Sequence, residues 1–313
     1  MPDSLEKRPH FSVVIPTYNQ ADYLALALES VQAQTWQDFE VVVVDNDSTD
    51  HTRDVVEGAA VKDGRIRSLI FTDNHVIGSV RNAGIEASRG HYVAFLDTDD
   101  LWYSTKLELV ADVFEQHPSV RVVCHDEDIV VGDRVVRRQR YGLPESSSLP
   151  LHDYLLYERN CLSTSATVVE RDALLAEGGF SPDLAFNTAE DYELWLRLSR
   201  EVEFHFLHET LGRYRVHPGG VSYASDCNIE NTFNVVRRHV SSNGSAASGW
   251  RAGKRYASIW YQAARNNAGR GSLGGALRYY ARALRAGPWH WKLYPGAGHL
   301  ILSWGKGLLA RPT

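Results

Sequence analysis

The sequence predicts an α/β, doubly wound domain, and three observations lead to it. Short, almost wholly apolar runs alternate with helical patterns over the first 126 residues, the signature of repeated strand–helix units. Runs apolar throughout suit strands covered on both faces, as in a mostly parallel sheet. The polar residues behind three of these runs are PTYN (16–19), DNDSTD (45–50) and DTDD (97–100), two of them acidic. Ligands of such sheets bind beyond the carboxyl ends of the strands, so all three stretches are expected to line one crevice.

The elements follow in order. Strands are expected at 11–16, 39–45, 65–72, 91–97 and 120–126. Helical patterns lie between them at 21–34, 49–61, 78–89 and 104–117, with Asp22, Asp50 and Ser104 as N-cap candidates. Residues 127–139 read as a hairpin turning at Gly132-Asp133. Residues 151–160 and 171–179 read as short helices, the second ending at Gly178 or Gly179. EDYELWLRLSR (190–200) is amphipathic, with Leu194, Trp195 and Leu198 on one face. SSNGSAASG (241–249) reads as a small-residue linker, and helices follow it, as in GGALRYYARALRAG. No internal repeat is evident.

Composition narrows the class. Cys124, Cys161 and Cys227 are scattered, against both a disulfide framework and a CxxC metal site. The N-terminus lacks the apolar region of a signal peptide, and no apolar run approaches the ~20 residues of a membrane span. A cytoplasmic protein is expected, peripheral to a membrane at most. The net charge of −6 conceals an asymmetry. Residues 250–313 hold eleven Lys and Arg, no Asp or Glu, and five of the eight Trp; the other 249 residues carry 22 basic and 39 acidic side chains, a balance of −17. This segment reads either as basic helices packing on the acidic part, by Coulomb attraction, or as a contact with an anionic membrane surface. Nucleic acid is not expected, because the acidic part would repel it.

Three carboxylates, Asp97, Asp99 and Asp100, follow directly on an apolar run. Like charges so close raise one another's pKa unless a cation sits among them. Either water screens them, or they form half of a Mg²⁺ or Mn²⁺ site whose other half is a diphosphate, since Mg²⁺ takes few protein carboxylates. An EF-hand is excluded although Asp97, Asp99 and Glu108 fall at its first, third and twelfth positions, because Trp102 stands where glycine is required. Glu190 and Asp191 open a helix; they read either as dipole-stabilising acids or as a general base and its neighbour. His217, beside a glycine-rich turn, and Arg81, on a helix, have both solvent-facing and ligand-binding readings.

Taken together, SVVIPTYNQADYLALALESVQAQTWQDFEVVVVDNDSTDHT (12–52), RNAGIEASRGHYVAFLDTDDLW (81–102), CLSTSATVVERDALLAEGGF (161–180), EDYELWLRL (190–198) and YRVHPGGVS (214–222) resemble the family 2 glycosyltransferases of the GT-A fold. The order and spacing agree over roughly residues 10–225. The resemblance implies a Rossmann-like, mostly parallel sheet flanked by helices, with a nucleotide-binding half (10–126), an acceptor half (127–225) and a helical C-terminal region (226–313). By position it places Pro16, Thr17 and Asn19 along a nucleotide, Asp45 on the base, Arg81 near base or diphosphate, and Asp97 toward the ribose. Asp99 would hold Mn²⁺ or Mg²⁺, joined in some members by a histidine matching His217. Asp191 would be the catalytic base, with Glu190 beside it.

The activity so implied is inverting transfer of one sugar from a nucleotide-diphosphate sugar, UDP being the commonest nucleotide, to a carbohydrate or lipid-linked acceptor. No Q-x-x-R-W element follows the E-D pair, so a processive polymerase is not expected. The alternative from another class is a nucleotide-sugar-binding or assembly protein that keeps the fold without transfer. A sugar nucleotidyltransferase would need a glycine-rich basic loop after the first strand, which PTYNQADY does not offer.

Overall fold

A computed structural model describes residues 8–72, 76–217, 220, 226–242, 248–290 and 293–294. The chain divides into two compact units, one of residues 1–147 and 161–220, the other of residues 148–160 and 221–313.

The first unit is built on a nine-stranded sheet. β1 (Phe11–Thr17), β2 (Phe39–Asp45), β3 (Ile66–Ile70) and β4 (Tyr92–Phe95) alternate with α1 (Ala21–Gln32), α2 (Thr52–Lys62) and α3 (Ile77–Ala87). β5 (Leu101–Trp102), α4 (Lys106–Gln116), β6 (Val120–Val131), β7 (Arg134–Gln139), β8 (Thr167–Glu170), α6 (Arg171–Ala176), α7 (Glu190–Glu201) and β9 (Glu203–Arg215) complete it. The strand order is β3-β2-β1-β4-β8-β6-β9-β5, with β7 paired to β6. β1 runs parallel to both β2 and β4, Thr17 opposite Asp45 and Val14 opposite Phe95. The order therefore reverses beside β1, and a crevice opens there at the carboxyl ends.

The apolar runs of β1, β2 and β4 are strands covered on both faces, whereas the edge strand β3 leaves Ser68 and Ile70 exposed. Val13 and Ile15 of β1 join Leu24, Leu28 and Val31 of α1 and Leu107, Val110 and Phe114 of α4 in one core cluster. Val14 and Val44 face the opposite way, toward Gly84 of α3. Each such side chain stabilises by roughly 1.5–3 kcal/mol on burial.

Several local expectations are corrected. Asp22 and Ser104 cap nothing: α1 and α4 begin after Gln20 and Thr105. Asp50 does act at helix starts, and at two of them. Its carboxylate accepts from Thr52 N at 3.0 Å and from Ala21 N at 3.1 Å, fixing α2 and α1 together. β6 runs on to Val131, longer than expected, and turns into β7 at Gly132. β5, β8 and β9 were not anticipated.

The second unit is helical: α5 (Leu151–Tyr157), α8 (Asp226–Ser242), α9 (Ser248–Gly269) and α10 (Leu273–Ala286). Ser241 and Ser242 of the expected linker close α8, Ser248 and Gly249 open α9, and 243–247 lie outside the described residues. Phe233, Trp260 and Tyr279 form its aromatic centre, with ring centroids 4.5 and 5.8 Å apart in succession. Gly253 lets α9 approach the end of α10, where a Cβ would lie 2.8 Å from the Ala286 carbonyl oxygen. Three of the basic side chains find acids within this unit: Arg251 with Asp153 (3.0 Å), Lys254 with Glu158 (2.7 Å) and Arg282 with Glu230 (3.0 Å). Among the described residues no helix is long and apolar enough to cross a membrane. Residues 291–292 and 295–313 of the basic segment lie outside the description.

Candidate active site

The carboxyl ends of β1, β2 and β4 bring the expected residues to one rim. Pro16 and Thr17 close β1, and their carbonyls tie it to both neighbours. Thr98 Oγ1 donates to Pro16 O at 2.5 Å, and Asn46 N donates to Thr17 O at 2.9 Å. Asn19 adopts φ +50°, a conformation asparagine tolerates better than most residues. Its side-chain oxygen accepts from Thr49 N at 2.7 Å, and its own N–H donates to Ser48 Oγ at 2.9 Å. Asn19 thus joins the β1 and β2 loops.

Asp45 is buried at the end of β2. Its Oδ1 accepts from Ser48 N at 2.9 Å, while Oδ2 has no hydrogen-bond partner and Arg53 Nε stands 3.6 Å away. The Thr17 hydroxyl is likewise buried and unpartnered. Buried polar groups are normally hydrogen-bonded, so the Thr17 hydroxyl and Asp45 Oδ2, the latter ion-paired with Arg53, each retain hydrogen-bonding capacity.

Arg81 of α3, 3% exposed, is the central cation. One guanidinium nitrogen binds Glu190 and another binds Asp97 at 2.6 Å. Burial alone would weaken the cation; the Asp97 and Glu190 carboxylates outweigh it and raise its pKa. Arg81 lies 5.3 Å from the centroid of Phe180. Phe180 is held by Asn82, whose amide exchanges two 2.8 Å hydrogen bonds with its backbone. Gly179 precedes it at φ +70°, where a Cβ would lie 2.4 Å from the Asn82 side-chain oxygen; only glycine suits that turn. α3 thereby anchors the segment that leads into α7.

α7 opens with Glu190, buried, and Asp191, half-buried. Asp191 Oδ2 accepts from Thr164 Oγ1 at 3.3 Å. Burial, and then the neighbouring Glu190 carboxylate, push the Asp191 pKa up to about 7 despite Arg81. A carboxyl poised near neutrality suits a general base.

In the DTDD turn the three acids have distinct surroundings. Asp97 meets Arg81. Asp99 Oδ2 lies 2.9 Å from His217 Nε2, and the His217 ring is tilted by 33° against Tyr23, with centroids 4.8 Å apart. Burial and Asp97 raise the Asp99 pKa, with His217 opposing. Asp100 is buried, accepting from Ser165 Oγ at 2.6 Å and Arg215 N at 3.0 Å. Burial, then Asp99, push its pKa well above the carboxylate range.

Sequence reasoning missed the support behind this turn. Ser165 Oγ also accepts from Asp97 N at 3.0 Å, and Ser165 O accepts from Trp102 Nε1 (2.9 Å) and buried Lys106 Nζ (2.7 Å). Ser165 stands next to Thr164, so one short segment touches both the DTDD turn and Asp191. The Arg215 guanidinium binds the Asp99 backbone carbonyl and lies 4.7 Å from the Tyr23 ring centroid. Lys106 lies outside the stretches that carry the resemblance, and Ser165 lies inside one (161–180) without a role attached to it; burial beside acids marks both.

Among the described residues no three metal-ligating side chains converge. Asp99 and His217 do converge, as one oxygen and one nitrogen donor. That set fits Mn²⁺ or Mg²⁺ if diphosphate oxygens complete the shell.

This sheet, with its crevice and acidic rim, has the fold of the GT-A glycosyltransferases. S. aureus TarS (residues 1–349) superposes with a TM-score of 0.65 at 20% identity, over 94% of this chain and 89% of that one; it has also been solved with UDP-GlcNAc. Mannosyltransferase PcManGT from Pyrobaculum calidifontis, solved with GDP-Man and Mn²⁺, gives 0.52 at 18% identity over 98% and 89%. Residues 12–175 match Glycosyl transferase family 2, and the chain belongs to that family. An uncharacterized glycosyltransferase of Nostoc sp. is 43% identical over 122 residues, 39% of this chain and 38% of the relative. TuaG of Bacillus subtilis, named for teichuronic acid biosynthesis, is 40% identical over 101 residues, 32% and 40% respectively. The chain thus spans well under half the length of these two relatives.

Proposed function

We propose that the protein is an inverting, metal-dependent glycosyltransferase. It moves one sugar from a nucleotide-diphosphate sugar, with UDP the favoured nucleotide, to a hydroxyl of a carbohydrate or lipid-linked acceptor. The product belongs to a polysaccharide or glycoconjugate. The observation that carries this reading is the linkage of Asp191, poised near neutral pH, through Glu190, Arg81 and Asp97 to the Asp99–His217 pair. Base and diphosphate side belong to one connected set of charges. TarS solved with UDP-GlcNAc, PcManGT solved with GDP-Man and Mn²⁺, and TuaG's name support the donor, the metal and the assembly role.

The residues divide the work. Pro16, Thr17 and Asn19 line the nucleotide, and Oδ2 of Asp45 accepts from its base. Asp97, oriented by Arg81, takes the ribose. Asp99 and His217 hold the divalent cation, which when bound supplies Lewis-acid stabilisation of the departing diphosphate. Asp191 accepts the proton of the acceptor hydroxyl as that oxygen attacks the anomeric carbon from the face opposite the diphosphate. One displacement served by one base inverts the centre. Glu190 keeps Asp191 basic by repulsion, while its own charge is spent on Arg81, so it positions rather than reacts.

Calorimetric titration with UDP, GDP and dTDP, each with Mn²⁺ and again with EDTA, tests the reading. Binding of one nucleotide that disappears with EDTA and with Asp99→Asn is the expected result. Binding of none would overturn the donor site, and metal-independent binding would remove the role given to Asp99. Binding without release of nucleoside diphosphate from any sugar donor would favour a non-catalytic assembly protein.

A further inference from the structure

Helix α10 carries a surface that sugar transfer does not use. Its inner face is closed by Ala276, Tyr279 and Ala283. Helical spacing places Leu273, Leu277, Ala281 and Leu284 on an adjoining outer stripe, and Arg278 and Arg285 on the stripe beside it. Leu277 is 57% exposed and Leu273 36%; past the helix end Trp289 is 57% exposed and Tyr294 65%. Arg282 is ion-paired with Glu230 and lies over Trp260 and Tyr279; Arg278 also lies over Tyr279, 5.1 Å from its ring centroid, but has no such carboxylate among the described residues. Arg278 and Arg285 are both exposed, and no carboxylate pairs with either among the described residues.

We infer that this face of α10 docks on an anionic lipid bilayer, with Leu273, Leu277 and Trp289 entering the interface and Arg278 and Arg285 meeting the headgroups. The charge pattern selects this occupant. Residues 250–313 contain no Asp or Glu, so a second copy of the same face would bring arginines against arginines. A nucleic acid would match the arginines but leave the leucine stripe without a partner. A bilayer of acidic lipids accepts apolar and cationic side chains side by side, with Trp and Tyr at the boundary. Each arginine near such a surface contributes roughly fivefold to partitioning. The inference stands on the second unit alone and holds whether or not the chain transfers sugar.

Flotation of the full chain with vesicles tests it, using phosphatidylcholine alone and phosphatidylcholine mixed with phosphatidylglycerol. Recovery with the mixed vesicles at low salt, loss at high salt and none with phosphatidylcholine alone is expected. Arg278→Glu/Arg285→Glu should weaken binding at least tenfold. Leu277→Asp, whose side chain is exposed and should leave the circular dichroism spectrum unchanged, should weaken it too. Absence of the wild-type chain from anionic vesicles at low salt overturns the inference, as does unchanged binding by both variants. A dimer by sedimentation velocity that Leu277→Asp dissociates would reassign the face to a second copy.

Discussion

Arg81 and Glu190, 109 positions apart in the chain, meet as a buried ion pair, and Arg81 extends the contact to Asp97. Deleting one partner of such a pair strands the other. Arg81→Met should therefore destabilise the first unit by about 3–5 kcal/mol, and Arg81→Met/Glu190→Gln should recover part of that loss. Denaturant midpoints of these two variants and of Glu190→Gln against wild type decide it; additive losses would mean that the pair is not coupled.

Asp191 supplies the clearest pH dependence. With its pKa at about 7, turnover should rise with pH and level off above that value as the base loses its proton. Asp191→Asn should lower kcat by about 10²–10⁴-fold, with little change in KM and loss of that pH limb. A flat wild-type profile between pH 5 and 8 would exclude Asp191 as the group that titrates.

The same shift bears on stability, with a definite sign. The folded carboxyl binds its proton more tightly than the unfolded one does, so its contribution is present at low pH and is lost as pH rises through about 7. Asp191→Asn removes that loss and should raise Tm relative to wild type more at pH 8 than at pH 5. Equal differences at both pH values would show that the shift is absent.

Ser165 is predicted to position the DTDD turn. Ser165→Ala leaves the Asp97 N–H without a partner and the buried Asp100 carboxyl with Arg215 N alone, at a cost of about 1–3 kcal/mol if water does not replace the hydroxyl. Mn²⁺-dependent nucleotide affinity should fall along with stability, whereas Ser165→Thr, if it retains the hydroxyl's contacts, should restore affinity. Affinity unchanged in the alanine variant would refute the positioning role.

His217→Ala tests the cation pair separately. It should raise the Mn²⁺ concentration needed for nucleotide binding at least several-fold while leaving Tm close to wild type, because among the described residues the ring is paired with Asp99 and tilted against Tyr23. An unchanged Mn²⁺ requirement would leave Asp99 as the sole protein ligand.

The first four strands and the acids beyond them were legible because two simple rules fix them. Runs such as VVVVD (41–45) are buried on both faces, and strand order sends their carboxyl ends to one rim. The bracing was not legible, since Arg81 to Glu190 and Lys106 to Ser165 are long-range pairings with no local signal. β9 escaped for a different reason. Its outward residues are mixed, and its pairing with β6 shifts register three times, so neither a steady alternation nor a solid apolar run marks it. Asp50 stands one residue before the N-cap of α2, His51, yet its carboxylate accepts from the first N–H of that helix, and no local signal marks that it serves α1 as well.

The discontinuity of the second unit imposes a schedule on biosynthesis. α5 emerges from the ribosome long before its partner, for Asp153 and Arg251 lie 98 residues apart. At about 5–20 residues per second, α5, whose Leu155 and Leu156 are buried in the folded chain, waits roughly 5–20 seconds for α9, which packs against it. During that interval the nascent chain displays an adhesive segment from its middle. Synonymous codons that slow elongation between residues 160 and 250 should lengthen the wait and lower the soluble yield without altering the finished protein.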